Sequence, residues 1–190
     1  MQDTAVFWDK VSEKYAKTPI SDEKAYQYTL NKTRGYLSIT DNVLEVGCGT
    51  GSTALLLAEN VRSITASDLS AKMIEIGQGK AQEQGITNID FVHADVLDAP
   101  YAAEPYDAVL AFNMLHLVED TSAALANISG LVKTGGVFIS KTVCKLGAGT
   151  PLKWRIIKMV LPIMQMFGKA PFVNFMDSSE LEELITRAGF

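Results

Sequence analysis

The run Val43-Leu44-Glu45-Val46-Gly47-Cys48-Gly49-Thr50-Gly51 constrains the fold more than any other stretch of this chain. Four residues of strand character lead into three glycines at alternate positions, and the segment from Thr53 onward reads as a helix. Glycines at a strand-to-helix joint let the backbone turn sharply and approach a ligand closely. A dinucleotide fingerprint is spaced GxGxxG and needs glycine at position 52, where this chain has Ser52. An acid, Glu45, stands two residues before the first glycine. A carboxylate there suits a ligand with a cationic amino-acid end and repels a pyrophosphate. The alternative is a tight turn that holds no ligand.

Around this joint the chain alternates strand and helix. Strands are expected at 43–46, 63–66, 89–92, 108–112 and 137–142, the last entered through Gly135-Gly136. Helices are expected at 53–60, from the capping Ser70 to about 84, and at 121–132. Alternation of this kind builds an α/β fold, a parallel sheet with helices on both faces. The strands are nearly all apolar, as strands buried on both faces should be. Before the alternation, 5–16 reads as an amphipathic helix carrying Phe7, Trp8, Val11 and Tyr15, and Ser21 is the expected cap of a second helix to about 36. After it, a helix starts near Asp177 with Ser179 and Glu182 as a capping box. Leu181, Leu184, Ile185 and Ala188 mark its buried face.

A length of 190 residues fits one domain, and 47% hydrophobic content is enough for a full core. The net charge of −5 argues against broad nucleic-acid binding. Cys48 and Cys144 form no metal-like cluster with the two histidines, His93 and His116, so no metal site is expected and both thiols read as reduced. No secretory signal follows Met1-Gln2-Asp3-Thr4. The longest apolar stretch, 159–167, is broken by Pro162 and Gln165 and is too short for a bilayer, which makes the cytoplasm the expected location.

The stretch Glu45-Val46-Gly47-Cys48-Gly49-Thr50-Gly51 resembles motif I of the class I S-adenosylmethionine (SAM)-dependent methyltransferases, in the small-molecule branch that includes the quinone-biosynthesis C-methyltransferases. The resemblance is good over about 40–145. It implies a Rossmann-like, doubly wound, mostly parallel sheet, SAM as methyl donor and a small-molecule methyl acceptor. Gly47, Cys48, Gly49 and Gly51 then form the cofactor loop behind Glu45. Asp68, at the end of the second strand, is expected to accept both ribose hydroxyls, an acid's task in dinucleotide enzymes too; the alternative is a helix-capping acid. The resemblance implies that Asp95 accepts from the adenine amino group, with Ala94 and Val96 beside the ring; a plain loop acid is the alternative. Leu69 and Met73 would pack against the adenosine, although Met73 also suits ordinary helix packing. Phe112, Asn113 and Met114, at the carboxyl end of the fourth strand, are expected to line the methionine portion. No Asn-Pro-Pro-aromatic pattern occurs there, which disfavours DNA bases and protein glutamine as acceptors. His116 is the best-placed candidate for a general base, against a packing or capping role; His93 reads as structural.

In similar enzymes the N-terminal helices fold over the cofactor. Residues 1–38 are accordingly a candidate lid, with Phe7, Trp8, Tyr26 and Tyr28 near the entrance and Tyr15 nearest the methionine end; a helix pair without ligand contact is the alternative. Residues 121–176 hold seven Lys/Arg and no acid. Within them, 146–176 is expected to cover the substrate and select a hydrophobic acceptor. Leu152, Ile156, Met159 and Ile163 fall on one helical face, and Trp154, Ile157 and Leu161 widen it. The methionines, with Met164 and Met166, make an adaptable apolar wall, and Pro162 should end or kink the helix. A core helix and a basic membrane-surface helix are the other readings. The family pattern continues past the last helix into two further strands, whereas this chain stops at Phe190. Two other functions fit parts of the pattern. A nicotinamide-dependent dehydrogenase is disfavoured by Glu45, Ser52 and the lack of a Tyr-x-x-x-Lys pair. A non-catalytic SAM-binding partner subunit has no physical need to keep Glu45, Asp68 and Asp95 together.

Overall fold

The computed structural model describes residues 2–97, 101, 104–144 and 160–190. Its strands are β1 (Asn42–Val46), β2 (Ser63–Asp68), β3 (Ile89–His93), β4 (Tyr106–Phe112) and β5 (Val132–Lys141). They form one five-stranded sheet in the order β3-β2-β1-β4-β5, with every neighbouring pair parallel. The helices are α1 (Gln2–Lys17), α2 (Glu23–Arg34), α3 (Ser52–Leu57), α4 (Ala71–Gln84), α5 (Thr121–Leu131), α6, described over 160–166, and α7 (Ser178–Arg187).

Strand residues alternate between two apolar layers. Val43, Ile64, Ala66, Phe91, Ala108 and Leu110 pack with Leu30 of α2, Ala54, Leu55 and Leu57 of α3, and Ile74 and Ala81 of α4. Leu44, Val46, Val109 and Ala111 face the other way, onto Ala124, Leu125 and Ile128 of α5 and Leu181 of α7. Burial on both faces is why these strands lack a polar side, and each buried Leu, Ile or Val contributes about 1.5–3 kcal/mol. Chain order runs outward from β1 in both directions, so β1 and β4 flank the topological switch point. Open α/β sheets bind ligands outside the carboxyl ends of the strands there.

Several boundaries differ from expectation. Asp22, not Ser21, caps α2, accepting from the Ala25 N–H at 2.9 Å. The capping box of α7 is Asp177 with Glu180, two residues before the expected Ser179 and Glu182. In both places a carboxylate takes the cap, because it accepts more strongly than a hydroxyl and opposes the positive end of the helix. Strand β5 begins at Val132 rather than 137. Its register to β4 jumps from Tyr106↔Val132 to Ala108↔Val137, so Lys133–Gly136 bulge out opposite Asp107. The bulge is pinned by Lys133 Nζ on Asp107 Oδ1 at 2.6 Å, and a Cβ on Gly136 would come within 2.8 Å of the Asp107 carbonyl oxygen. Helix α6 continues through Pro162 instead of stopping there. Residues 145–159, including Trp154 and Met159, lie outside the described residues. No described helix is long and apolar enough to cross a membrane.

Candidate active site

The carboxyl ends of β1, β2, β3 and β4 surround one cavity of about 600 Å³, closed on its open side by α1 and the α1–α2 connection. The volume lies within the range of small-molecule sites. Tyr15, Glu45, Gly47, Cys48, Gly49, Asp68, Leu69, Met73, Ala94, Asp95, Val96, Phe112, Asn113, Met114 and His116 all line it. Of the residues expected to hold the cofactor only Gly51 does not: it caps α3 with φ 72°, and a Cβ there would fall 2.6 Å from Phe91 Cε1, behind the loop.

Gly47 and Gly49 serve the loop in different ways. Gly47 has φ 67°, and a Cβ there would fall 2.6 Å from Met114 Cβ. Gly49 has φ 55°, and a Cβ there would sit 3.6 Å from Tyr15 Cε1, an ordinary van der Waals contact. Gly47 therefore makes room for the Met114 side chain, while Gly49 is favoured by its left-handed backbone. Lys80 of α4 holds the loop from below, donating to Thr50 Oγ1 at 2.7 Å and to the Thr50 carbonyl at 3.3 Å.

Glu45 is the electrostatic centre. It is 2% exposed, and its Oε2 has no hydrogen-bond partner among the described residues. Burial pushes its carboxyl from the ordinary 4.5 to about 8; a backbone N–H from Ala54 opposes that rise and the charge of Asp68 adds to it. Asp68 accepts from the Gly49 N–H at 2.8 Å and from the Ser70 N–H at 2.9 Å. Burial raises its carboxyl despite those two bonds. Asp68 thus braces the loop and the start of α4, and each oxygen keeps a lone pair for another donor. Asp95 accepts from the Leu97 N–H through Oδ1 at 3.0 Å. The Cys48 thiol is held well above its ordinary range by burial and then by the charges of Glu45 and Asp68.

The aromatic residues near the entrance divide. Trp8, Tyr15 and Tyr26 line the cavity, and Trp8 meets the Tyr15 ring edge-on at 6.2 Å. Tyr28 does not: it is 66% exposed, with Lys32 Nζ 5.7 Å from its ring centre. Two positions along a helix are about 200° apart, so Tyr26 and Tyr28 cannot share a face. At the end of β4, Asn113 takes φ 56°, a left-handed conformation that Asn tolerates, and donates its N–H to the Lys141 carbonyl at 2.6 Å. His116 follows on a 3₁₀ turn, with Nδ1 3.0 Å from Thr142 Oγ1. His93, exposed at the end of β3, does not line the cavity; its Nε2 lies 3.0 Å from the Leu69 carbonyl. In the described part of 146–176, Ile163, Met164, Met166 and Phe167 are exposed and none lines the cavity.

Sequence reasoning missed Asp9 of α1. Its Oδ1 accepts from Ser70 Oγ at 2.6 Å and from the Lys72 N–H at 3.1 Å, fastening α1 to the start of α4; the Ser70 bond holds its carboxyl below the usual range. Sequence reasoning also missed Tyr101, whose hydroxyl lies 3.3 Å from Ser67 Oγ in the cavity wall. Both contacts span more than 30 positions, and no local pattern announces them.

Residues 43–136 match the model of a family described as methyltransferase domain. A demethylmenaquinone methyltransferase of Staphylococcus epidermidis is 30% identical over 179 residues, covering 85% of this chain and 70% of that protein. The chain belongs to the class I SAM-dependent methyltransferases. An uncharacterized methyltransferase of Mycobacterium tuberculosis is 37% identical over 97 residues, 51% of this chain and 48% of its own length. The chain thus spans about half the length of that curated relative. Among solved structures, the geranyl diphosphate C-methyltransferase from Streptomyces coelicolor superposes with a TM-score of 0.73 at 19% identity, over 98% of this chain and 77% of that one. At that identity the likeness speaks for the methyltransferase fold alone. The dehydrogenase reading finds no support in these comparisons.

Proposed function

We propose that this methyltransferase moves a methyl group from SAM to a small hydrophobic molecule held in the cavity. The observation that carries the reading is the orphaned Oε2 of Glu45. A buried carboxylate without a cation is costly, and a ligand ammonium is the partner it lacks. The donor set around it fits the rest of SAM. Asp68 has lone pairs to spare for ribose hydroxyls, and Asp95 Oδ2, without a hydrogen-bond partner among the described residues, suits an exocyclic amine. Leu69, Met73, Ala94 and Val96 offer an apolar slot for a purine. Gly49 leaves room for the chain that joins them, and Tyr15, Phe112, Asn113 and Met114 flank the methionine end.

SAM, when bound, supplies a methyl group on a sulfonium, an electrophile that needs no further activation. What remains for the protein is alignment and the exclusion of water. Trp8, Tyr15 and Tyr26 close the cavity from the N-terminal side, and α1 is held over it by Asp9. Ile20, Leu117, Val118 and Val143 supply apolar wall for the acceptor. Similarity to demethylmenaquinone methyltransferase supports the same class of acceptor.

The test is ligand-dependent melting with SAM, S-adenosylhomocysteine and NAD side by side, since a ligand of the native state raises the melting point. The expected result is a rise with the first two and none with NAD. A rise with NAD alone refutes the reading.

A further inference from the structure

Thr142 Oγ1 lies 3.2 Å from the backbone nitrogen of His116 and 3.0 Å from its ring Nδ1. The backbone N–H can only donate, so the hydroxyl oxygen accepts there. The hydroxyl still has one proton to give, and the one acceptor within reach among the described residues is His116 Nδ1. The opposite arrangement, Nδ1–H donating to Thr142, strands the threonine proton in a half-buried place and forfeits a hydrogen bond. Burial also lowers the pKa of the ring, which favours its neutral form. With Nδ1 accepting, a neutral ring carries its proton on Nε2. Nε2 has no protein partner among the described residues, and His116 stands in the cavity wall just beyond the end of β4.

We propose that Thr142 fixes His116 as a hydrogen-bond donor, with Nε2–H directed to an oxygen of the methyl acceptor, and that the acceptor is therefore an oxygen-bearing nucleophile of the phenolate or enolate class. His116 is then not a general base, and Thr142 is a positioning residue. An acceptor that arrives ionised has its electron pair ready. That pair forms the new bond to the methyl carbon while the sulfur–carbon pair returns to sulfur. The negative charge of the acceptor and the positive charge of the sulfonium cancel, and no proton moves at His116. The proposal rests on the cavity being a methyl-transfer site.

The experiment is long-range proton–nitrogen NMR of the ¹⁵N-labelled full chain with S-adenosylhomocysteine bound, the His116 signals being assigned from their loss in His116→Gln. The expected wild-type pattern is a protonated Nε2 and an unprotonated Nδ1, with Thr142→Val mixing the two tautomers. A protonated Nδ1 in the wild type overturns the proposal. 2-Naphthol, as an ionisable probe, should shift the Nε2–H signal; an unmoved signal overturns the oxygen-recognition half. His116→Gln keeps a donor without a base and should hold probe affinity within about threefold, whereas His116→Leu should lose about tenfold or more. Equal losses in both variants count against the donor role. Calorimetry of S-adenosylhomocysteine on each variant reports folding, and failure of the wild type to bind it sinks the methyl-transfer reading separately from the tautomer.

Discussion

Replacing Glu45 by Gln should make the ligand-free protein more stable and the ligand-binding protein worse. The folded carboxyl titrates near 8 against an ordinary 4.5, mainly because it is buried. Below pH 4.5 both folded and unfolded chains carry the proton, and burial costs nothing through ionisation. As pH rises from 4.5 to about 8 the unfolded chain gives up its proton and the folded one keeps it, so stability falls across that window and then levels off. The full interval corresponds to about 5 kcal/mol, of which about 3 kcal/mol is in force at about pH 7. Glutamine has nearly the shape of the protonated acid and does not ionise. The stability difference between Glu45→Gln and wild type should therefore grow by about 3 kcal/mol between pH 4.5 and about 7, measured by urea unfolding at several pH values. Groups that titrate alike in both proteins drop out of this difference. The same carboxylate must ionise to pair with a ligand ammonium. Binding of S-adenosylhomocysteine at about pH 7 should then expel about one proton in the wild type, read by calorimetry in buffers of different ionisation enthalpy, and none in the variant. Affinity should fall by about tenfold or more. A stability difference that does not change with pH, or binding without proton release, refutes the argument.

Gly49→Val should lower stability by only about 1–2 kcal/mol, the cost of a left-handed non-glycine residue, yet abolish cofactor binding measured by calorimetry. Gly47→Val should lose more stability than this, because its Cβ meets Met114 Cβ at 2.6 Å, too near the main chain to swing away. Asp68→Ala should weaken S-adenosylhomocysteine by roughly 1.5–3 kcal/mol and also cost stability, since the Gly49 and Ser70 N–H groups lose their acceptor. A deoxyribose analogue should then lose little further affinity in the variant; equal discrimination in variant and wild type excludes Asp68 as the ribose partner.

The features legible in the sequence were those written in short windows. Strand–helix alternation, the glycine loop behind Glu45 and the Ser70 cap of α4 each need fewer than about ten consecutive residues. Ser70 Oγ does accept from the Met73 N–H, at 3.1 Å. Where neighbouring residues compete for one role, the reading slipped by a position or two, as with Asp22 against Ser21 and Asp177 against Ser179. The bulge at Lys133–Gly136 depends on where Asp107 sits on the next strand, and the anchoring of α1 depends on Asp9 reaching the start of α4. Both are tertiary, and nothing within their own segments encodes them. Apolar spacing alone left open whether Met164 and Met166 belonged to core, cavity or surface; they are exposed.

The acids at the head of the sheet work against the fold that carries them. Glu45 and Asp68 come from adjacent strands and face the same cavity, and the charge of Asp68 helps to hold the Glu45 carboxyl high. Lys80, the ammonium nearest the loop, spends its bonds on Thr50 and Ser52 rather than on either carboxylate. Asp68 recovers part of its burial cost through two backbone N–H groups, whereas Oε2 of Glu45 recovers none. A hydrophobic residue at position 45 would suit strand β1 better, because its other described positions are apolar or at the strand's start. On the proposed reading the physical reason for the acid lies outside the folded chain, in a ligand whose positive charge returns the free energy that burial removes. On that reading ligand affinity and apo stability are opposed at this one side chain, and the ammonium end of the proposed SAM ligand is what distinguishes the site from a phosphate-binding glycine loop of similar outline.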